Sequence, residues 1–77
     1  MAPDANLNPT LAALVSAAFD KSWPFVETDP ELAHVDRQEV RTRLAQNLTR
    51  IAQDGERDMW RLANAAIGQL RRERSAA

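Results

Sequence analysis

The chain contains no cysteine, and this absence removes several kinds of stabilisation and chemistry at once. Without cysteine there is no disulfide, no thiolate nucleophile and no cysteine-ligated zinc site. Glycine is also scarce: Gly55 and Gly68 are the only two, so no glycine-rich loop can bind a phosphate. A chain of 77 residues has a small core that often needs a disulfide, a metal or association to reinforce it. With disulfides excluded, we expect association with a second copy or with another protein.

Long apolar runs are missing as well. A membrane-spanning helix needs roughly 20 apolar residues, whereas the apolar stretch from Leu11 to Phe19 is short and contains Ser16. The first eight residues also lack the basic start of a secretory signal. We therefore expect a cytoplasmic protein with no membrane partner, and a loose N-terminus over residues 1–8.

Charge is nearly balanced over the whole chain but uneven along it. The formal net charge of −1 provides no global field for nucleic acid or for an acidic membrane. Residues 1–35 hold one lysine and five acids, whereas residues 36–77 hold nine arginines and six acids. One interpretation is that the acidic front packs beside the basic back within one domain. The other is that the C-terminal arginines contact an external anion; these are Arg61, Arg71, Arg72 and Arg74.

Apolar residues recur at helical spacing, which predicts an all-α fold. Asn8 and Pro9 form a helix start, and Pro24 predicts a helix end because it disfavours helical geometry in the residue before it. Asp36, with Glu39 three residues later, forms an N-cap arrangement for a second helix. The predicted helices span residues 9–22, 36–54 and 58–73, with a short turn at 30–34.

Each predicted helix carries an apolar stripe that a small core would bury. The members are Leu11, Leu14, Val15, Ala18 and Phe19 in the first helix, Val40, Leu44, Leu48 and Ile51 in the second, and Met59, Leu62, Ala66, Ile67 and Leu70 in the third. The stripes predict a small three-helix bundle that forms a single domain over residues 1–77. The C-terminal half would be a helical hairpin, and residues 75–77 are expected to fray.

The hairpin depends on a break in the helix at Gly55. Gly55 suits the left-handed position after a helix end, and Asp58 suits an N-cap before Met59. A competing interpretation is one unbroken helix of roughly 37 residues, because the apolar positions from Val40 to Leu70 also follow an eleven-residue repeat. We favour the break, since a rod of about 55 Å leaves too little chain to cover its apolar face.

The same region resembles a segment of other proteins. Residues 51–58, followed by Arg61-Leu62 and Ala65-Ala66, resemble a segment found in short uncharacterised helical proteins of bacteria. The resemblance covers only part of the chain. It implies a helix–turn–helix hairpin in a small bacterial protein, and it carries no activity.

The segment between the first two helices contains an apolar cluster, Trp23-Pro24-Phe25-Val26. We expect this segment to be non-helical. The cluster predicts either a cap on the end of the bundle or a hydrophobic docking patch, since tryptophan is typical of binding hot spots. Thr28, followed by an acid three residues later, is a further helix-start signal for the turn.

Two arginines at the start of the second helix oppose its dipole. We expect Arg37 and Arg41 either to pair with the preceding acids or to extend along apolar surface into water. The acids in question are Glu27, Asp29 and Glu31.

No arrangement of residues in the sequence predicts catalysis. His34 is the single histidine and lies two residues before Asp36, the usual setting of a surface or capping histidine. Glu31 and His34 have the Glu-x-x-His spacing of di-metal helical bundles, but such sites need further carboxylates from long helices. We therefore expect no enzyme activity, no metal site and no cofactor.

The sequence leaves two functional hypotheses. The leading one is a non-enzymatic protein–protein interaction module that associates with itself as a homodimer, or otherwise with a partner protein, with Trp23, Phe25 and Trp60 as contact residues. The alternative is a small nucleic-acid-binding regulator that uses the C-terminal arginine cluster. Glu56 and Asp58 argue against the alternative, because they would place negative charge at the start of a recognition helix.

Overall fold

The computed structural model describes residues 9–76, with the side chains of residues 9–73, and folds them into three α-helices. These are α1 (Pro9–Glu27), α2 (Arg37–Gln53) and α3 (Met59–Ala76). Each helix contacts both of the others, so the predicted all-α three-helix bundle is confirmed. The expected loose N-terminus at residues 1–8 lies outside the described residues, as does residue 77.

The core is formed by the predicted stripes. Leu44, Leu48 and Leu62 are completely buried, and a buried leucine contributes about 1.5–3 kcal/mol. The connector between α1 and α2 adds Leu32 to them. The full set of buried apolar residues in this cluster is Leu11, Ala18, Val26, Leu32, Val40, Leu44, Leu48, Ala52, Leu62, Ala66 and Leu70. The helical periodicity of the sequence therefore identifies the core-facing side of each helix.

The predicted end of the first helix, before Pro24, is wrong. The helix continues through Pro24 to Glu27. Pro24 has no N–H to donate to the carbonyl of Asp20, and a proline inside a helix costs about 3 kcal/mol. Pro24 lies on the exposed side of α1, whereas Val26 is 3% exposed and Trp23 packs against the core. The free energy gained by burying these apolar side chains is similar in size to the cost of the proline, and it keeps the last turn helical.

The connector begins differently from the prediction. Thr28 closes α1, because its N–H and its Oγ1 both donate to the carbonyl of Pro24, at 3.2 and 2.9 Å. Asp29 takes the place expected for Thr28, and its Oδ1 accepts a hydrogen bond from the N–H of Glu31 at 2.9 Å. The predicted turn at 30–34 is present, with the N–H of Leu32 bonded to the carbonyl of Asp29 at 3.0 Å.

The second helix starts where its capping residue predicts. Asp36 is the N-cap, and its Oδ2 accepts a hydrogen bond from the N–H of Glu39 at 3.1 Å. The side chain of Glu39 bonds to Arg43 Nε at 3.2 Å, one helical turn further on. The predicted N-terminus of this helix is confirmed.

The predicted break after α2 is confirmed as well. Gly55 has a φ of 121°, and its N–H bonds to the carbonyl of Ala52 at 3.1 Å. The next N–H, of Glu56, bonds to the carbonyl of Ile51 at 3.3 Å, which completes a Schellman C-cap. Asp58 then caps α3 by accepting from the N–H of Arg61 at 3.0 Å. The interpretation as one unbroken rod is wrong.

The overall dimensions agree with the break. The longest dimension is 38 Å, which is shorter than the roughly 55 Å of the unbroken helix. α3 extends beyond its predicted end at residue 73, to Ala76, because arginine and alanine are strong helix formers. None of the helices in the described residues is long and apolar enough to cross a bilayer.

Candidate functional site

Two aromatic side chains remain exposed in the described part of the chain, Phe25 at 59% and Trp60 at 51%. Phe25 lies near the end of α1, one helical step away from the core position that Val26 occupies. Trp60 lies in the first turn of α3. Both residues line one groove of about 270 Å³. The groove thus brings together two of the three contact residues predicted from the sequence.

This groove, which we call the α1/α3 groove, continues along the third helix. Asn64, Ile67, Gly68 and Arg71 complete its lining. These residues recur every three or four positions, so they share one side of α3 beside the face that enters the core. Asn64, Ile67 and Gly68 were not among the predicted site residues, although their helical spacing from Trp60 was a usable signal.

Trp23 lies on a different side of α1 from Phe25, because side chains two residues apart on a helix differ in direction by about 200°. Its ring stacks on Phe19, with centroids 5.7 Å apart and an interplanar angle of 8°. The guanidinium carbon of Arg41, from α2, lies 5.3 Å from the Trp23 ring and 5.6 Å from the Phe19 ring. Trp23 is therefore part of the α1–α2 contact and not of the α1/α3 groove.

A smaller pocket of about 140 Å³ lies beside Trp23, between the end of α1, the connector and the start of α2. Its lining includes Val26 and Leu32, which are buried. An exposed ion pair between Arg37 and Glu27, at 3.6 Å, lies at its rim. The apolar cluster at residues 23–26 therefore divides: Trp23 and Val26 cover the end of the bundle, and Phe25 faces the α1/α3 groove.

The two arginines at the start of α2 follow different alternatives. Arg37 pairs with an acid of the preceding segment, Glu27, as one interpretation predicted. Arg41 instead extends over the apolar surface of two aromatic rings, in a cation–π arrangement. Neither arginine contacts Asp29 or Glu31 in the described structure.

Arg71 pairs with Asp29, one of the three acids that were possible partners of Arg37 or Arg41. Its Nε and Nη2 both lie 2.7 Å from Asp29 Oδ2, and the Asp29 side chain is only 3% exposed. The anion that Arg71 binds is therefore internal. This pair and the Arg37–Glu27 pair both join residues 1–35 to residues 36–77, so the acidic front does pack beside the basic back.

The other arginines of the C-terminal cluster are placed differently. Arg61 is exposed, and Arg72 donates to Gln69 Oε1 at 3.0 Å. The Arg72 side chain also lies over Gly68, where an added Cβ would be 3.6 Å from Arg72 Nη1. The side chain of Arg74 lies outside the described residues. Of the four predicted anion-contact residues, the described structure therefore leaves Arg61 and Arg72 without an ion pair and commits Arg71 to Asp29.

Lys21 adds a cation to the groove from the other helix. Its Nζ lies 5.7 Å from the centroid of the Trp60 ring. Lys21, Arg61 and Arg72 make no ion pair with any carboxylate in the described residues. None of the described residues that line the groove is acidic. The α1/α3 groove is thus an apolar surface bordered by positive charge.

The connector carries the two residues that share the Glu-x-x-His spacing of di-metal sites. Glu31 and His34 are both exposed on the turn. Among residues 9–76, no three His, Asp or Glu side chains lie close enough together to hold a metal ion. The α1/α3 groove is therefore the best-defined candidate site.

Comparison of the chain with protein-family models, with curated proteins and with solved structures finds no match in any of the three. The geometry of the α1/α3 groove therefore provides the basis for a functional proposal.

Proposed function

We propose that this protein is a non-enzymatic protein-binding module and that the α1/α3 groove is its contact surface. The observation that supports the proposal is the exposure of Phe25 and Trp60 on a single groove. The chain has only two phenylalanines and two tryptophans, so half of its aromatic residues lie on this surface. Aromatic residues are enriched in the buried centres of protein interfaces, where tryptophan often contributes most to affinity.

The homodimer expected from the sequence would place a second copy of the chain in the α1/α3 groove. In a two-fold symmetric contact, the same patch of each copy faces the other. Lys21, Arg61 and Arg72 of one copy would then approach the same cations of the other, and like charges at a contact are unfavourable. The geometry therefore favours a different protein as the partner. The cytoplasmic location expected from the sequence belongs to this proposal.

Nucleic-acid binding has less support. Arg71 is neutralised by Asp29, which leaves Arg61 and Arg72 as the cations of the described C-terminal cluster. Binding to a nucleic acid is dominated by the number of neutralised phosphates, and two contacts provide only a small part of the usual affinity. The aromatic groove therefore carries the proposal rather than the arginine cluster.

Site-specific cross-linking tests the proposal. A photoreactive phenylalanine analogue replaces Asn64, inside the groove, and a matched control carries it at Thr42, which is exposed on α2. We expect irradiation in a lysate of the source cells to give a discrete adduct from position 64, and none from position 42. The adduct should disappear when Phe25→Ser is added.

The mass of the adduct and the state of the pure protein distinguish the occupants. An adduct of twice the chain mass, with a concentration-dependent dimer in light scattering, would identify a second copy. Equal labelling from positions 64 and 42, or no adduct from position 64 together with a monomer at high concentration, would contradict a contact surface in this groove.

A further inference from the structure

The shape of the α1/α3 groove matches a helical partner. Lys21 meets Trp60 and Asp29 meets Arg71, so residue numbers rise together along the groove and the two helices run in the same direction. A channel between two such helices is the surface that an amphipathic helix occupies in helix-in-groove recognition. From Trp60 to Arg71 the groove is about 16 Å long at 1.5 Å per residue, which corresponds to three helical turns.

The chemistry of the groove has two parts. Its floor and walls offer apolar surface from Phe25, Trp60 and Ile67. Its border is cationic, since Lys21 lies over the Trp60 ring and Arg72 lies over the groove residue Gly68. Among the described cations of the groove, only Arg71 is paired with a carboxylate. That carboxylate belongs to Asp29, which is almost completely buried.

Arg61 is a third cation at the border of the groove, beside Lys21 and Arg72. Arg61 and Arg72 are eleven residues apart, so they project from α3 within about 20° of each other. Both are exposed and neither pairs with a carboxylate in the described structure. Complementary charge at an interface raises the association rate and excludes partners of the wrong sign. The border therefore selects for an acidic partner and against a second copy of itself.

We propose that the α1/α3 groove binds an acidic amphipathic helix of another protein. Its apolar side chains, at positions i, i+4 and i+7, pack between Phe25 and Trp60, and its flanking carboxylates pair with Lys21, Arg61 and Arg72. This inference rests on the proposed function, since it specifies the chemistry of the partner for the same surface.

The test uses two designed helical peptides that share their apolar positions. One carries glutamate at all flanking positions and the other carries lysine. Each is titrated into the full chain with Trp23→Phe, so that Trp60 is the only tryptophan and its emission reports on the groove. We expect a saturable blue shift with the glutamate peptide and affinity at least about tenfold weaker with the lysine peptide. Raising the salt concentration should weaken the glutamate complex.

A pair of charge reversals locates the effect in the groove. Lys21→Glu should weaken the glutamate peptide by about tenfold or more, because it places a carboxylate against the bound one. Arg50→Glu changes the net charge of the protein by the same amount but lies exposed on α2, away from the groove, and should have an effect below about twofold. Equal losses in the two variants would show that only net charge matters and would overturn the inference.

The remaining outcomes separate the inference from the proposed function. If both peptides bind equally, the acidic preference is wrong and the protein-binding groove stands. If neither peptide shifts Trp60 emission while the residue-64 cross-link still forms, the acidic helix is likewise wrong and the groove stands. If a single-stranded oligonucleotide shifts the emission, neither peptide does and no protein adduct forms from residue 64, both proposals are wrong.

Discussion

Neighbouring arginines at the end of α3 have different roles although the sequence presents them alike. Arg71 and Arg72 both belong to the cluster that was predicted to meet an anion. The structure shows that Arg71 binds Asp29, a residue 42 positions earlier, and that Arg72 donates to Gln69 within α3. A pattern within one segment of sequence cannot reveal such a distant partner, because the contact depends on how the connector packs against α3.

Removal of these two guanidinium groups should therefore affect stability unequally. Arg71→Ala leaves the Asp29 carboxylate, 3% exposed, without its ion-pair partner and should lower the free energy of unfolding by about 2 kcal/mol. Arg72→Ala removes an exposed side chain and should change it by less than about 0.5 kcal/mol. Urea unfolding followed by circular dichroism measures both. If Arg71→Ala lowered the free energy of unfolding as little as Arg72→Ala does, the Asp29–Arg71 pair would contribute nothing to stability.

The connection between α2 and α3 depends on one backbone conformation. Gly55 has a φ of 121°, which side-chain-bearing residues rarely adopt, although the space around it is open. Gly68 lies inside α3, where an added Cβ would make an ordinary 3.6 Å contact with Arg72. The two glycines thus allow the cost of backbone strain to be separated from the cost of a methyl group.

We predict opposite signs for the two alanine substitutions. Gly55→Ala should destabilise the fold by about 1–2 kcal/mol through the strained φ. Gly68→Ala should stabilise it by about 0.5–1 kcal/mol, because alanine is the better helix former. Thermal or urea unfolding of both variants provides the measurement. A stable Gly55→Ala variant with a longer helical rod in scattering would contradict the break between α2 and α3.

Rules based on neighbouring residues fail at Pro24, in the first helix. The caps at Asp36, Gly55 and Asp58 were predicted from the sequence because each depends on hydrogen bonds within a few residues. The end of α1 was predicted wrongly, because the rule for proline is local whereas the burial of Val26 depends on the packed bundle. The sequence thus determines the helix starts better than it determines this helix end.

The substitution Pro24→Ala tests whether packing holds the last turn of α1 against an unfavourable residue. It restores the N–H that can donate to the carbonyl of Asp20, and it should stabilise the protein by about 1 kcal/mol after the larger entropy of the unfolded chain is counted. The control, Pro30→Ala, lies in the connector turn and should destabilise by about 0.5 kcal/mol. A loss of helix signal on Pro24→Ala would be inconsistent with the helical assignment of residues 23–27.

At the scale of the whole molecule, the candidate site was only partly predictable. Aromatic character alone identified Trp23, Phe25 and Trp60, and the sequence could not assign them to surfaces. The structure places Phe25 and Trp60 on one groove, and it places Trp23 against Phe19 and α2. That separation arises because α1 stays helical through Pro24, so the error in the helix end also hid the geometry of the site.

The most direct test of the α1/α3 groove as the contact surface is amide chemical-shift mapping of the isotope-labelled protein with the glutamate peptide. We predict that the largest shift changes fall at residues 21–28 of the chain and at residues 60–71 of α3. The exposed face of α2, including Thr42 and Arg50, should stay unchanged. Changes centred on α2 or on the pocket beside Trp23, with none along Trp60 to Arg71, would contradict the assignment of the groove.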